Sequence, residues 1–461
     1  MKNKKLFSSV IILLLICNLF IQPVFSAEMA SPPEPEASAA ILIELNSGEI
    51  LFEMNPTEKV YPASLTKIMT CLLVLEQADL SATVTVSETA LDGLDIAGST
   101  ADLKPGEVMS VENLLYCMML SSANEACNIA AEFISGSVDA FIQKMNEKAS
   151  SLGCTGTQFA NTHGLHNEQH YTTVKDLAII AQEAIKNRTF RTIVSTPSYV
   201  VPATNLSPER ELYTTNKLIL PSSQNIYYDK RVTGIKTGFT TPAGRCLAAT
   251  AEANNMQLLS IVCGCETFIL ETGDLAFGSF PETLKLLDYG FDNFRYKTVL
   301  TSLYPVAEIP VSRSAGANFV SLAPGEEITA LVPIDFNEDD LQLTTALISD
   351  EGVSAPIAAG DELGTVTLTY KGKKLGTVPL VAITSVERAT LLTYLNPARY
   401  ASQAWLRIVL LIVIGIFLLL ILISAIKKRI QKKQESQHRR MRKIQTETKE
   451  TFGSNDWYKR N

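Results

Sequence analysis

"YPASLTKIMT", residues 61–70, opens an apolar segment with one charged side chain: between Val60 and Leu75 only Lys67 is ionisable to a cation or an anion at neutral pH. Burying an ammonium without a partner costs several kcal/mol. Ser64 lies three residues earlier, about one helical turn away. Pro62 favours a helix start just beyond it, so a helix over 64–78 carries Ser64 in its first turn. Backbone N–H groups and the positive end of the dipole gather there and favour an oxyanion. Lys67 falls on the same face, within reach of the hydroxyl. Desolvation lowers a lysine pKa, and a neutral amine can take a serine's proton. The pair reads as nucleophile and base. Taken alone it also reads as an N-cap serine followed by a snorkelling lysine, since Ser-x-x-Lys arises by chance about once or twice in a chain of this length.

The neighbouring pattern sets the fold class. "AAILIELNSGEILFEM" (39–54) predicts a hairpin turning at Asn46–Ser47–Gly48. Helical spacing follows over 64–78, 111–121, 124–135, 138–151 and 173–187, the last opened by Thr173 and Asp176 in the pattern of a capping box. From Val232 the period becomes two: "VTGIKTGF", "RCLAATAEA" and "MQLLSIVCG" predict three strands joined by "TTPAG" and "NN". Helices held between early and late strands predict a mixed α/β (α+β) domain over 38–290. Residues 296–388 alternate and carry glycine turns, which predicts a small all-β domain.

Two further motifs fall inside that frame. "MMLSSANEACNIA" places Ser122 and Asn124 at a break between two apolar helices, where a hydroxyl and an amide can share one cleft; a helix-capping turn has the same sequence. "GIKTGFTTPAG" places Lys236–Thr237–Gly238 on a strand, with Gly234 and Gly238 leaving room for another backbone. His163, His166 and His170 fall within eight residues. A metal site would need such a cluster, and a solvated loop is the simpler expectation.

Ser-x-x-Lys opening a helix, Ser-x-Asn breaking a helix pair and Lys-Thr-Gly on a strand, in that order, resemble the penicillin-recognising serine enzymes. "YPASLTKIMT", "SSANEA", "NTHGLHNEQHYTTVKDLA" and "GIKTGFTTPAGRCLAA" look like the low-molecular-mass D-alanyl-D-alanine carboxypeptidases, serine peptidase family S11. The β domain, with "VSAPIAAGDELGTVTL", is similar to that family's C-terminal domain. The resemblance implies a beta-lactamase/transpeptidase-like catalytic domain, peptidoglycan stem peptides as substrate, beta-lactams as covalent inhibitors, and no cofactor or metal. It further implies that Ser64 is the nucleophile, Lys67 the general base and Ser122 the proton relay. Asn124 would hold the substrate amide, and Lys236, Thr237 and Gly238 would flank the terminal carboxylate. The N–H groups of Ser64 and Phe239 would form the oxyanion hole. A serine beta-lactamase is the rival enzyme, opposed by the lack of a convincing Glu-x-x-x-Asn element. A non-catalytic penicillin-binding sensor is the rival of another kind, opposed by the intact motifs.

The two ends concern location. Residues 1–26 have a basic start, an apolar run and Ser26 before Ala27, as in a secretory signal peptide. An uncleaved anchor helix shares this pattern, and Ile16 disfavours a lipoprotein site at Cys17. A linker over 27–37 contains "SPPEPEAS". After a second linker at 389–407, Ile408 to Ile426 is 19 residues without a charge, long enough to cross a bilayer. The tail 427–461 carries 12 Lys/Arg against 4 Asp/Glu. The positive-inside rule then leaves this end in the cytoplasm and the domains outside a bacterial cell membrane. Many members of the family end in an amphipathic anchor instead. The net charge is −8 despite that +8 tail, so the body is strongly acidic, which argues against nucleic acid as a partner. Cys71, Cys117, Cys127, Cys154, Cys246, Cys263 and Cys265 lie mostly in apolar runs and read as buried free thiols.

Overall fold

The computed structural model describes residues 29–94, 98–269, 275–390 and 404–451. The expected signal peptide lies outside the described residues, as do most of the linker 389–407 and the end of the tail. Two compact units are present. Of the described residues, the first draws on those up to Leu300, Glu327–Gln342 and Leu368–Gly376, the second on Thr301–Glu326, Leu343–Thr367 and those from Thr377 onward.

The first unit is built on an antiparallel sheet. Its strands in chain order are β1 (Ala39–Glu44), β2 (Glu49–Met54), β3 (Thr83–Thr85), β4 (Val108–Ser110), β5 (Ser198–Val201), β6 (Arg210–Tyr213), β7 (Val232–Thr240), β8 (Gly244–Ala253) and β9 (Met256–Cys265). The large sheet runs β2-β1-β9-β8-β7, and the pairs β3-β4 and β5-β6 are separate ribbons. Both faces of the large sheet are covered, which is why β1 is apolar from Ala39 to Ile43 and buried at every position, its closing Glu44 included. Ile41 and Ile43 face one core with the helices Lys67–Gln77, Asn124–Ser135 and Val174–Lys186; Ala40 and Leu42 face a second core with the helix Ser279–Asn293. Asn254 and Asn255 both have positive φ between β8 and β9, the geometry of a two-residue hairpin turn.

The Lys67–Gln77 helix is buried from Lys67 through Val74. Leu65, Ile68, Met69, Leu72, Leu73 and Val74 are all 3% exposed or less. At about 1.5–3 kcal/mol each their burial outweighs the several kcal/mol that sinking the Lys67 amine costs. One expectation is corrected here: Ser64 is not in the first α-helical turn. Ala63–Thr66 is a 3-10 turn and the α-helix starts at Lys67; Ala63, at φ +48°, lies outside α-helical space and bars any earlier helical start. The capping box is also half made. Thr173 accepts from the Asp176 N–H, but the Asp176 carboxylate accepts from Gly156 N and the Thr157 hydroxyl instead of turning back to Thr173.

The remaining short strands, β10 (Thr267–Ile269) and β11 (Leu275–Phe277), form a hairpin next to the Ser279–Asn293 helix. The C-terminal β domain follows with β12 (Phe294–Leu300), β13 (Ala307–Ser312), β14 (Phe319–Pro324), β15 (Ile328–Pro333), β16 (Leu341–Leu347), β17 (Val353–Ser354), β18 (Glu362–Tyr370) and β19 (Lys373–Ala382). Six of these make a sheet ordered β16-β18-β19-β14-β13-β17, and β12 pairs with β15. The last described element is one helix, Ala404–Thr451, which continues without a break from the apolar stretch into the basic one. By length and composition it is apolar enough to cross a membrane, with a mean hydropathy of 3.4 in its most apolar window. All seven described cysteines are buried free thiols.

Candidate active site

Three separate stretches meet at Ser64. The 3-10 turn presents its Oγ at the mouth of a cleft of about 880 Å3, whose lining includes Ser122, Asn124, Thr215, Thr237 and Phe239. Lys67 Nζ lies 3.0 Å from Ser64 Oγ, 2.8 Å from Asn124 Oδ1 and 2.8 Å from the His163 carbonyl oxygen. Ser122, held at φ +61° between the helices Val111–Met119 and Asn124–Ser135, places its Oγ 3.1 Å from Ser64 Oγ. The helix break expected at Ser122–Asn124 is therefore what turns both side chains inward.

The three contacts of Lys67 define its chemistry. A neutral amine has two N–H bonds and one lone pair. With the N–H groups donated to Asn124 and His163, the lone pair is left facing Ser64. Burial pushes the Lys67 pKa down to about 8, although the charges of Cys127 and Glu125 pull it back up. A usable fraction of the amine is thus neutral near pH 7, and it already points at the hydroxyl it would deprotonate.

On the other wall β7 is an edge strand of the sheet. Lys236 is buried, 1% exposed, and burial together with the Lys67 charge drives its pKa well below the usual lysine value. Its Nζ reaches the Thr215 hydroxyl at 3.4 Å, and the Thr215 and Thr237 hydroxyls are 2.6 Å apart. A lysine and two hydroxyls converge, an arrangement suited to an anion, whose charge would in turn favour the ammonium form of Lys236. Gly238 is needed for proximity: a Cβ there would lie 3.1 Å from Ala63 Cβ, from Pro62 O and from Ser64 N. Gly238→Ala is expected to push the Ser64 turn off β7 and lower kcat/KM about 10- to 100-fold with little change in Tm, since small displacements of reacting groups have effects of that size. Steady-state kinetics beside a thermal melt check this.

Several members of the site carry no motif. Thr215 lies 21 residues before Lys236 in an irregular segment, and His163 contributes a main-chain carbonyl, so neither has a sequence signal. Glu125 is buried and accepts from the Thr100 hydroxyl and Ala101 N, both at 2.7 Å, while Asn124 N donates to Ser99 O. These bonds hold Gly98 and Ser99 at the rim. The expectation of a solvated histidine loop is overturned for two of the three rings. His163 and His170 are buried, because Asn161, Leu165 and the backbone around them fold over the Ser64 turn; only His166 is exposed, edge-on to Tyr61. A second cavity of about 860 Å3, lined by Gln182, Arg188 and Thr250 among others, contains none of the motif residues.

A serine activated by a buried lysine rather than by histidine, facing a strand that offers a cation and hydroxyls to a carboxylate, is the working arrangement of the penicillin-recognising serine enzymes. The family profile of D-alanyl-D-alanine carboxypeptidase matches residues 26–267, and that of the penicillin-binding protein 5 C-terminal domain matches 294–388. The chain is 33% identical to D-alanyl-D-alanine carboxypeptidase DacF of Bacillus subtilis over 78% of its own length and 88% of the relative's. It is 31% identical to DacC of Escherichia coli over 80% and 89%. It is also similar to the crystal structure of penicillin binding protein 5 from Haemophilus influenzae, with a TM-score of 0.57 and 29% identity over 78% of this chain and all of that one. The chain belongs to the serine-type D-alanyl-D-alanine carboxypeptidases of family S11, penicillin-binding hydrolases of wall peptides.

Proposed function

We propose that Ser64, Lys67 and Ser122 carry this reaction and that Lys236, Thr237 and Thr215 read the carboxylate of the departing D-alanine. Ser64 Oγ attacks the carbonyl between the two D-alanines as its proton passes to Lys67 Nζ. The oxyanion is met by the N–H groups of Ser64 and Phe239. The proton then travels through Ser122 Oγ to the amine of the leaving D-alanine. An ester on Ser64 remains, and water hydrolyses it. Asn124 holds the substrate amide as well as Lys67. The observation that carries this assignment is the set of three Lys67 contacts, which leaves the amine one direction for accepting a proton. A beta-lactam presents a carboxylate and a strained amide to the same groups and acylates Ser64.

The lysine on β7 supplies a test of substrate reading. A charge-assisted hydrogen bond used in the transition state is worth roughly 2–4 kcal/mol, or about 30- to 1000-fold in kcat/KM. Lys236→Ala is expected to lose that much on a peptide ending in D-Ala-D-Ala and far less on its C-terminal amide, itself a poor substrate. Measuring both peptides with both proteins closes a double-mutant cycle. An equal cost on acid and amide would show that Lys236 acts on the Ser64 and Lys67 protons and not on the carboxylate.

Steady release of D-alanine by the purified protein separates this function from a non-catalytic wall-peptide sensor, and slow turnover of penicillin separates it from a beta-lactamase. For location, the apolar start and the span Ile408–Ile426 followed by "KKRIQKK" support a single-pass protein with its catalytic domain outside the cytoplasm and its C-terminus inside. Protease protection of an epitope placed after residue 461, in right-side-out vesicles, tests this topology.

A further inference from the structure

We propose that His170 and Thr66 are positioning residues that aim the Ser64 N–H into the oxyanion hole. The inference rests on Ser64 being the nucleophile. Ala63 C=O and Ser64 N–H belong to one planar peptide unit and point in opposite directions, so whatever holds the carbonyl aims the N–H. Thr66 Oγ1 lies 2.8 Å from Ala63 O and 2.7 Å from His170 Nε2. The proton positions along this chain follow from its far end. His170 Nδ1 lies 3.0 Å from Ala160 N and 3.3 Å from Asn161 N, two main-chain donors, so Nδ1 accepts. In a neutral ring Nε2 then carries the hydrogen and donates to Thr66, whose own hydrogen goes to Ala63 O. Burial, with His166 and Lys67 nearby, pushes the His170 pKa down to about 4, which keeps the ring neutral.

The carbonyl needs such a hold. Ala63 sits at φ +48°, a conformation an alanine leaves when it is not over-determined by its surroundings. Gly164 closes over the same oxygen: a Cβ there would come within 1.8 Å of Ala63 O. The oxygen is therefore held by the Thr66 hydroxyl and closely covered by Gly164, which packs against both. The hydroxyl depends on a histidine 104 residues further along the chain. Neither Thr66 nor His170 lines the cleft, so neither is placed to touch substrate.

Four substitutions in the full-length protein separate aiming from mere packing. Gln at position 170 keeps a donor where Nε2 stood but gives up the Nδ1 acceptor; Asn keeps the acceptor and loses the donor. Thr66→Val removes the hydroxyl at constant shape and Thr66→Ser keeps it. The measurements are kcat and KM for D-alanine release, the affinity of a peptidyl boronic acid that places an oxygen in the oxyanion position, and Tm. Thr66→Val and His170→Asn are expected to lower kcat about 10- to 100-fold with KM within about twofold, and to weaken the boronate by the same factor. Thr66→Ser and His170→Gln are expected to stay within about threefold of wild type in both. Equal losses in His170→Asn and His170→Gln would overturn the proposal, because the loop and not the donor would then matter. So would a Thr66→Val enzyme with normal kcat, or a kcat loss without weaker boronate binding. Should Thr66→Val fail to fold, the His170 pair alone decides. Loss of the underlying assignment is distinguishable, since it would show as penicillin labelling that survives Ser64→Ala.

Discussion

Ser64→Ala is expected to abolish both D-alanine release and covalent penicillin labelling. Ser122 Oγ is 3.1 Å away, but Lys67 Nζ, 3.0 Å from Ser64 Oγ, points its free direction at Ser64. Removing the nucleophile removes the covalent route altogether, so the residual rate comes only from binding and polarisation of the carbonyl. Losses of about 10^4-fold or more in kcat accompany such changes where nucleophile and base act as a unit. The fold should be unaffected. Among the described residues the Ser64 hydroxyl bonds to Lys67 and Ser122 of the site, and a methyl group fits where a hydroxymethyl stood. The decisive measurement is mass spectrometry after incubation with a beta-lactam. An adduct on a different serine would show that the Ser64–Lys67 pair is not the catalytic one.

Lys67→Ala carries the second large effect and adds a pH signature. The Lys67 amine is held by Asn124 Oδ1 and His163 O, and its pKa is pushed down to about 8 by burial. The base is the deprotonated form. In the free enzyme its population therefore grows as pH rises towards and through about 8, and kcat/KM should rise with it on the acid side. Loss of a general base costs about 10^2- to 10^4-fold. Lys67→Ala is expected to lose that much in acylation, measured with a chromogenic beta-lactam, and to lose the inflection near pH 8. Truncation also leaves the Asn124 carbonyl and the His163 carbonyl without a buried donor, so a lower Tm of modest size is expected, at about 1–3 kcal/mol for groups of this kind. Wild-type acylation by the variant, or an unchanged pH profile, would remove Lys67 from the mechanism.

Much of the site could be read from short spacings. Ser64 and Lys67 are three residues apart and share one face of their turn, and Ser122 and Asn124 flank one helix break; Lys236 and Thr237 are consecutive on a strand, where side chains leave on opposite faces, and they converge only through Thr215. The helix limits at 124–135 and 138–151 and the three late strands were legible for the same reason, since period and turn residues are local properties. The start of the Lys67 helix was not, because the φ of Ala63 is set by contacts with Gly164, Thr66 and, through it, His170, about 100 residues away.

What the sequence by itself determined is the set of chemical groups and the elements that carry them: an apolar helix with one lysine, a broken helix pair, a strand with a lysine and a threonine. Only the tertiary structure decided which carbonyls and hydroxyls complete the site. His163 offers a backbone oxygen that any residue could offer, and Thr215 has no spacing relative to Lys236 that a pattern could detect. The histidines looked like a solvated loop because hydropathy counts a residue's average environment. His170 is buried because its ring finds two main-chain donors and a threonine hydroxyl, partners brought together by folding at positions far apart in the chain.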